Sequence, residues 1–308
     1  MGKRLLISIP TLLLLITIAF FLLRLAPGGP FDGERELAPE IKAALETKYN
    51  LDQSLPQQYF SYLGDVLTGD FGPSYQYRDL TVNQLLASAL PVSLTLGGWA
   101  LLVVLIVGLS IGMTAAVFHN RWLDRLLMQS AMVGISVPNF VVASLLILLF
   151  SVHLEWLPAG GWNNGAWYHL ILPVVALALP FIAYLARLSR ASMLEALQSD
   201  HIRTARAKGV ARIHVILRHA LPGALQPVIA WLGPAAVSIL TGSVVIERVF
   251  GIPGIGRYFV QGALNRDYTL IMAVVIVVGV LVLLFNLLAD VLQAALDPRV
   301  RQGMEQSG

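Results

Sequence analysis

Ala191-Ser-Met-Leu-Glu-Ala-Leu-Gln-Ser-Asp-His-Ile-Arg-Thr-Ala-Arg-Ala-Lys-Gly-Val-Ala-Arg-Ile-His-Val-Ile-Leu-Arg-His-Ala-Leu-Pro222 is polar yet ordered, and it stands between two long apolar runs. Asp200 can cap a helix that reaches Ala207 or Lys208, Gly209 can close it in a left-handed turn, and a second helix can run from Arg212 to Ala220 before Pro222. Two short helices are therefore expected where the chain leaves one apolar run and enters the next. Ala205 and Ala207 keep the first helix slim enough for a close partner, while Arg203, Arg206 and Lys208 supply charge at its rim. On these residues alone, a docking element and a pair of basic helices lying on anionic lipid are equally good readings.

The flanking runs belong to a set. A helix needs about 20 mostly apolar residues to cross hydrocarbon, and six stretches qualify: roughly 7–26, 91–118, 129–152, 170–187, 224–246 and 269–296. Composition agrees, because 56% of the 308 residues are hydrophobic and only 13% are charged, more apolar surface than one soluble core can hide. The fold class is accordingly an all-α integral membrane protein with six transmembrane helices. The first run follows Lys3 and Arg4 like a signal peptide, but it is longer than an ordinary signal core and ends in Arg24-Leu-Ala-Pro-Gly-Gly-Pro30 without a clear cleavage site. It is read as a retained anchor, residues 1–27.

Charge sets the expected orientation. Arg121, Arg125, Arg187, Arg190, Arg203, Arg206, Lys208, Arg212, Arg218, Arg299 and Arg301 fall on one side, and the positive-inside rule makes that side cytoplasmic, with both termini. Asp32, Glu34, Glu36, Glu40, Glu46, Asp52, Asp65, Asp70 and Asp79 fall on the other. The organisation expected is an anchor (1–27), an external segment (28–90), a core of five spans (91–298) that contains the polar loop 191–222, and a cytoplasmic tail (299–308). Helices are expected in the external segment over 38–48 and 57–67. The second carries Tyr59, Phe60, Leu63, Val66 and Leu67 at amphipathic spacing, and Gly69-Asp-Phe-Gly-Pro-Ser74 follows it as a connector rich in turn formers.

Within the spans, Gly108 and Gly112 stand one turn apart and permit close helix packing. Pro138, Pro173 and Pro180 each remove a backbone donor and are read as kinks. Trp156, Trp162, Trp167 and Tyr168 crowd one short loop, where amphipathic rings suit the headgroup level.

Arg203-Thr-Ala-Arg-Ala-Lys-Gly209 followed by Leu221-Pro222 resembles the coupling loop of binding-protein-dependent ABC permeases. Its general form is Glu-Ala-Ala, three residues, Gly, nine residues, Ile, one residue, Leu-Pro. Gly209, Leu221, Pro222 and Ala205 match that form. Arg203 stands for its Glu, Thr204 for its first Ala and His219 for its Ile, departures that resemble the peptide and nickel branch. The likeness runs through Ile9-Pro-Thr11, Gly69-Asp-Phe-Gly72, Ile246-Glu-Arg-Val-Phe-Gly-Ile-Pro-Gly-Ile-Gly256 and Asn265-Arg-Asp-Tyr268, and is greatest with the first (B-type) membrane subunit of oligopeptide permeases.

The resemblance implies a type I importer permease fold with coupling helices between spans four and five. It implies passage of peptide at an interface with a homologous second permease, an external peptide-binding protein, and two cytoplasmic ATPase subunits that carry ATP and Mg, this chain holding no cofactor. Arg203, Thr204, Ala205, Arg206, Ala207, Lys208, Gly209, Leu221 and Pro222 would be the ATPase-coupling residues. Dipeptides, nickel chelates and cell-wall peptides are cargoes of related systems with the same loop.

Other chemistry is poorly represented. No lysine precedes Ser or Thr, so there is no phosphate-binding loop, and Gly251-Ile-Pro-Gly-Ile-Gly256 has neither the spacing nor the strand context of a nucleotide site. The six histidines form no His-Glu-x-x-His or i, i+4 pair for a metal, and the Gly-x-Ser-x-Gly spacing of Gly108-Leu-Ser-Ile-Gly112 lies inside an apolar run rather than at the strand-to-helix turn of a nucleophile elbow. A net charge of +3 without a basic stripe gives nucleic acid no footprint. The rival is an ion-coupled transporter that uses Asp290, with Asn286 one turn away. A pure scaffold is the remaining class.

Overall fold

The computed structural model describes residues 2–26, 28–32, 38–77 and 79–296, the side chains of 2–5 and 294–296 excepted. Lys3 and Arg4 as side chains, Pro27, Glu34, Glu36, Arg299, Arg301 and the tail 299–308 therefore lie outside the described residues. The described chain is helical: α1 (Gly2–Leu25), α2 (Pro39–Lys48), α3 (Leu55–Leu67), α4 (Val82–Val117), α5 (Trp122–Ser136), α6 (Asn139–His153), α7 (Trp167–Gln198), α8 (Asp200–Ala207), α9 (Arg212–Phe250), α10 (Ile255–Asn265) and α11 (Tyr268–Leu296).

Five of these are long and apolar enough to cross a membrane: α1, α4, α7, α9 and α11. The third expected span, 129–152, is not one helix. It is the pair α5 and α6, bent by 101° at Val137-Pro138. Pro138 supplies no N–H and its ring drives the preceding residue out of the helical region, and Val137 is indeed extended at φ −102°, ψ 126°. The Pro138 carbonyl then starts α6, accepting from the amides of Val141 and Val142 at 3.0 and 3.1 Å.

Pro173 and Pro180 behave differently, since both lie inside the unbroken α7. The second expected loop helix and span five are likewise not separate. They form the continuous α9, in which a widened π-helical turn over Val215–Ala220 precedes Pro222. A wider turn relieves the clash of the proline ring with the carbonyl one turn back, so proline need not mark a start here.

Leu94–Ile252, with the chain from Leu284 onward, makes one compact unit, and Gly2–Ser93 with Pro253–Leu283 makes a second. In the first, α4 meets α7 with almost no space. A Cβ at Gly112 would sit 2.3 Å from the Ala186 carbonyl oxygen and 2.0 Å from Ser189 Oγ, and one at Gly108 would be 3.0 Å from Leu185. This is the close approach expected of the glycine pair. Toward the other end of α7, the turn after Trp156 is pinned where the Gly161 amide donates to the Phe250 carbonyl at 2.7 Å. Trp156 and Trp167 stay exposed, as interfacial rings should.

In the second unit, Ile16 and Phe20 of α1 pack with Met272 and Ile276 of α11, and Tyr59, Tyr62 and Val66 of α3 close over them. Phe60 and Leu67, read as part of the same apolar face, instead point outward. Ser54 and Gln57 form a capping box that starts α3 at Leu55, two residues earlier than expected. Val82, Leu85, Leu86 and Ala89 pack against Ile255, Leu270, Ala273 and Val274. The buried Asp267 holds the connector after α3: it accepts from the hydroxyls of Ser74 and Thr269, and from the amide of Leu270 at 3.2 Å, so it also caps α11.

Replacing Gly112 by Leu should abolish the folded chain, because backbone atoms of Ala186 and Arg190 as well as the Ser189 hydroxyl occupy the space, whereas Gly98→Ala should be silent, since nothing lies within 4 Å of its Cβ position. Yield of monodisperse protein on size exclusion in detergent checks both.

Candidate functional site

The short helix α8 carries most of the residues singled out in the sequence, and its two faces differ. Ile202 is fully buried and Ala205 is 8% exposed, whereas Arg203, Thr204, Arg206, Ala207, Lys208 and Gly209 are exposed. Ile202 and Ala205 enter a cluster with Ala116 at the end of α4, Met193 of α7, and Val215, Ala220 and Ala224 of α9. Burying an Ile side chain is worth about 2 kcal/mol, so α8 is seated on its own chain rather than floating on the surface. Ala205 is thus small for its own core, not for a partner; Leu221 is half-buried and the following Pro222 is exposed.

The ends of α8 are well defined. Ser199 occupies the N-cap position at φ −67°, ψ 154°, and Asp200 is the first helical residue, one place later than a cap. There its carboxylate favours the positive end of the helix and meets Arg203 at 3.5 Å, both groups well exposed, so this pair contributes little. At the other end Gly209 has φ +75°. Its amide donates to the Arg206 carbonyl at 3.0 Å and that of Val210 to the Ala205 carbonyl at 3.2 Å, the paired reverse bonds of a Schellman turn. Val210 folds back onto the same cluster.

Around this seat the charges are organised. Arg190 of α7 grips Asp124 of α5 with two bonds, Nε to Oδ1 at 2.7 Å and Nη2 to Oδ2 at 2.8 Å. The Asn120 amide adds a third donor to that carboxylate at 2.9 Å, and Arg190 Nη2 also reaches His119 Nδ1 at 3.1 Å. Asp124 is buried, and the fork geometry is what makes such burial tolerable. Arg212 Nη2 donates to the Val117 carbonyl at 3.2 Å, satisfying the end of α4. Beside α8 lies a cavity of about 440 Å³, floored by Val117, Leu197, Val210, Val215 and Ile216 with Arg206 and Arg212 at its rim.

The sequence reading missed Ile202 and the Asp124–Arg190 pair. Ile202, Ala205 and Val210 show the first as an apolar stripe through a polar stretch. The second carries no sequence signal, because 66 residues separate its members.

The family described as "Binding-protein-dependent transport system inner membrane component" matches residues 108–302. The chain belongs to that family. The oligopeptide transport system permease protein OppB of Salmonella typhimurium is 54% identical over 299 residues, which cover 97% of this chain and 98% of that protein. OppB of Haemophilus influenzae is 52% identical over the same length and coverage. The dipeptide transport system permease protein DppB of Bacillus subtilis is 43% identical over 301 residues, 98% of this chain and 97% of its own.

Among solved structures, an inward-facing MetNI methionine ABC transporter aligns with TM-score 0.60 over 70% of this chain and 97% of that chain, at 19% identity. An amino acid ABC transporter aligns with TM-score 0.54 over 69% and 94%, at 20% identity. These likenesses establish the ABC type I importer permease fold. This family member is an integral membrane component of a transport system. Gly251-Ile-Pro-Gly-Ile-Gly256 is a left-handed turn at Gly251 leading into α10, not a nucleotide loop. Asp290, the residue of the ion-coupled rival, is half-buried and engaged by a polar or electrostatic contact.

Asp124→Asn should lower unfolding stability by about 3 kcal/mol, since Arg190 is left without its counter-charge in a largely buried setting. Arg203→Ala should change it by less than about 0.5 kcal/mol. Thermal unfolding of the two variants in one lipid nanodisc preparation separates them.

Proposed function

We propose that this chain is the B-type permease subunit of an ATP-driven importer of peptides, coupled to partner ATPases through residues 199–219. The observation that carries the coupling role is the split character of α8: an exposed rim of Arg203, Thr204, Arg206, Ala207, Lys208 and Gly209 over a seat of Ile202 and Ala205 that touches three membrane helices at once. Force applied to the rim passes through close-packed side chains into α4, α7 and α9, because a packed core transmits displacement rather than absorbing it. The cavity beside α8, lined by Val117, Leu197, Val210, Val215 and Ile216 with Arg206 and Arg212, is suited to an amphipathic side chain of the ATPase, an apolar body with a polar or acidic end. Leu221 and Pro222 continue the same path at the start of the membrane part of α9.

The partners in this reading are a homologous second permease, two cytoplasmic ATPases that hold ATP and Mg, and an external peptide-binding protein. Both termini face the cytoplasm, and peptide crosses at the interface between permeases. Oligopeptide is favoured as cargo by the order of likeness, 54% to an oligopeptide permease against 43% to a dipeptide permease. Selection among peptides falls mainly to the binding protein, since a passage for varied side chains cannot be strongly specific.

Gly209→Val tests the coupling. A β-branched residue is strained at φ +75°, yet nothing lies within 4 Å of the added Cβ, so the chain should insert normally while the turn that fixes α8 is distorted. Uptake of a labelled oligopeptide by cells holding the whole transporter should fall on the order of tenfold, with the membrane level of the chain unchanged. Full uptake at a normal membrane level would remove the coupling role from this turn.

A further inference from the structure

The second unit contains a polar cavity of about 160 Å³ beneath α2 and α3. Its volume is close to the roughly 150 Å³ that admits a benzene-sized molecule, but its lining is of another kind. Arg24 and Lys48 face it with Tyr62 and Tyr75, and the only carboxylate among the lining residues is Asp65.

Arg24 is held as a built element. Its guanidinium carbon lies 3.9 Å from the centre of the fully buried Phe20 ring, a cation–π contact that fixes its plane. Its Nε donates to Gln58 Oε1 at 2.7 Å. Gln58 is itself immobilised, because its amide nitrogen donates to the carbonyls of Leu51 at 3.0 Å and Gln53 at 2.9 Å. Among the described residues Arg24 is hydrogen-bonded through Nε alone, which leaves the terminal nitrogens of its half-buried fork for water or a ligand in the cavity. The Tyr62 hydroxyl is buried and has no hydrogen-bond partner among the described residues. Burial raises the Tyr62 phenol above its ordinary range and pushes Tyr75 up to about 12, so both stay protonated donors near neutrality.

A rigid cation, a second cation at Lys48 and neutral phenols around a space this small are what one carboxylate group requires. We propose that this cavity is an anion site that takes a single carboxylate, forked by Arg24 and supported by Lys48, Tyr62 and Tyr75. The carboxylate is either the terminus of a short peptide or a free small acid, since one such group fits and an entire peptide does not. The site uses no residue of α8, so it does not depend on the coupling role of that helix.

The full-length chain in nanodiscs, followed by tryptophan fluorescence during heating, tests this with sodium acetate against sodium chloride at equal ionic strength. Acetate should raise Tm saturably while chloride does not, as expected for a ligand bound only by the folded state. Arg24→Gln should remove that rise. Tyr62→Phe, which deletes one unpaired hydroxyl from an otherwise unchanged ring, should raise the starting Tm and shrink the acetate shift several-fold, which keeps the test open should Arg24→Gln not fold.

Acetate acting no better than chloride, or a full acetate shift in Arg24→Gln or in Tyr62→Phe, overturns the site. Trialanine and trialanine amide identify the source. A shift from the free acid at least tenfold below the acetate concentration, with the amide inert, supports a peptide terminus, and equal potency of acetate and trialanine supports a free carboxylate.

Discussion

A peptide N–H or C=O inside hydrocarbon has no water to bond, so it must find its partner within the chain. That constraint explains both the helices and the places where they change. Where a proline arrives with a following turn that can start afresh, the helix breaks. Pro138 does this, and its carbonyl immediately accepts the amides of α6. At Pro222 the turn widens over Val215–Ala220 and the helix continues. Neither α5 nor α6 can cross alone, since 15 residues rise only about 22 Å, and the pair, as a broken span or a re-entrant loop, confines its non-helical backbone to one corner.

The same economy governs charge. The carboxylates of Asp124 and Asp267 are both withdrawn from solvent, and each is met by several donors: a guanidinium fork and an amide for one, hydroxyls and a helix N-terminus for the other. Glu247, fully buried in α9, accepts from Ser243 one turn away at 2.9 Å. Such groups add little net stability but punish any other arrangement, because separating them strands a buried charge. They therefore fix which helices neighbour which. Gly112 does so sterically and Asp124–Arg190 does so electrostatically, within the same unit.

Much of this was legible in the sequence. Apolar length located the five spanning helices and the bent pair α5 and α6, because a window of 20 residues averages over local irregularity. The end of α8 at Gly209 was legible too, since only a left-handed turn makes that residue necessary. What escaped depended on contacts far apart in the chain. The facing of Ala205 was misread because a small residue suits a partner's surface and one's own core equally well, and only the burial of Ile202 beside it decides between them. Phe60 and Leu67 were assigned to the inner face of α3 by spacing, although thirteen residues give more apolar positions than α1 and α11 can cover. Proline signalled irregularity at 138, 173 and 180 alike, yet the chain breaks at the first and stays helical through the other two.

The exposed charges of α8 are therefore the less informative half of the candidate site. Arg203, Arg206 and Lys208 attract a complementary surface, but long solvated side chains yield under load, and screening limits what they hold. Ile202 and Ala205 are held more firmly, because both are buried in one cluster with residues of α4, α7 and α9. In the proposed coupling role, the charges select and orient the partner, and the apolar seat carries the motion. The Schellman turn joins the two functions: Gly209 lies exposed on the partner's side while Val210, one residue on, is anchored in the seat. In that proposed role, a rigid reversal between an exposed residue and a buried one would convert displacement of the surface into displacement of three helices.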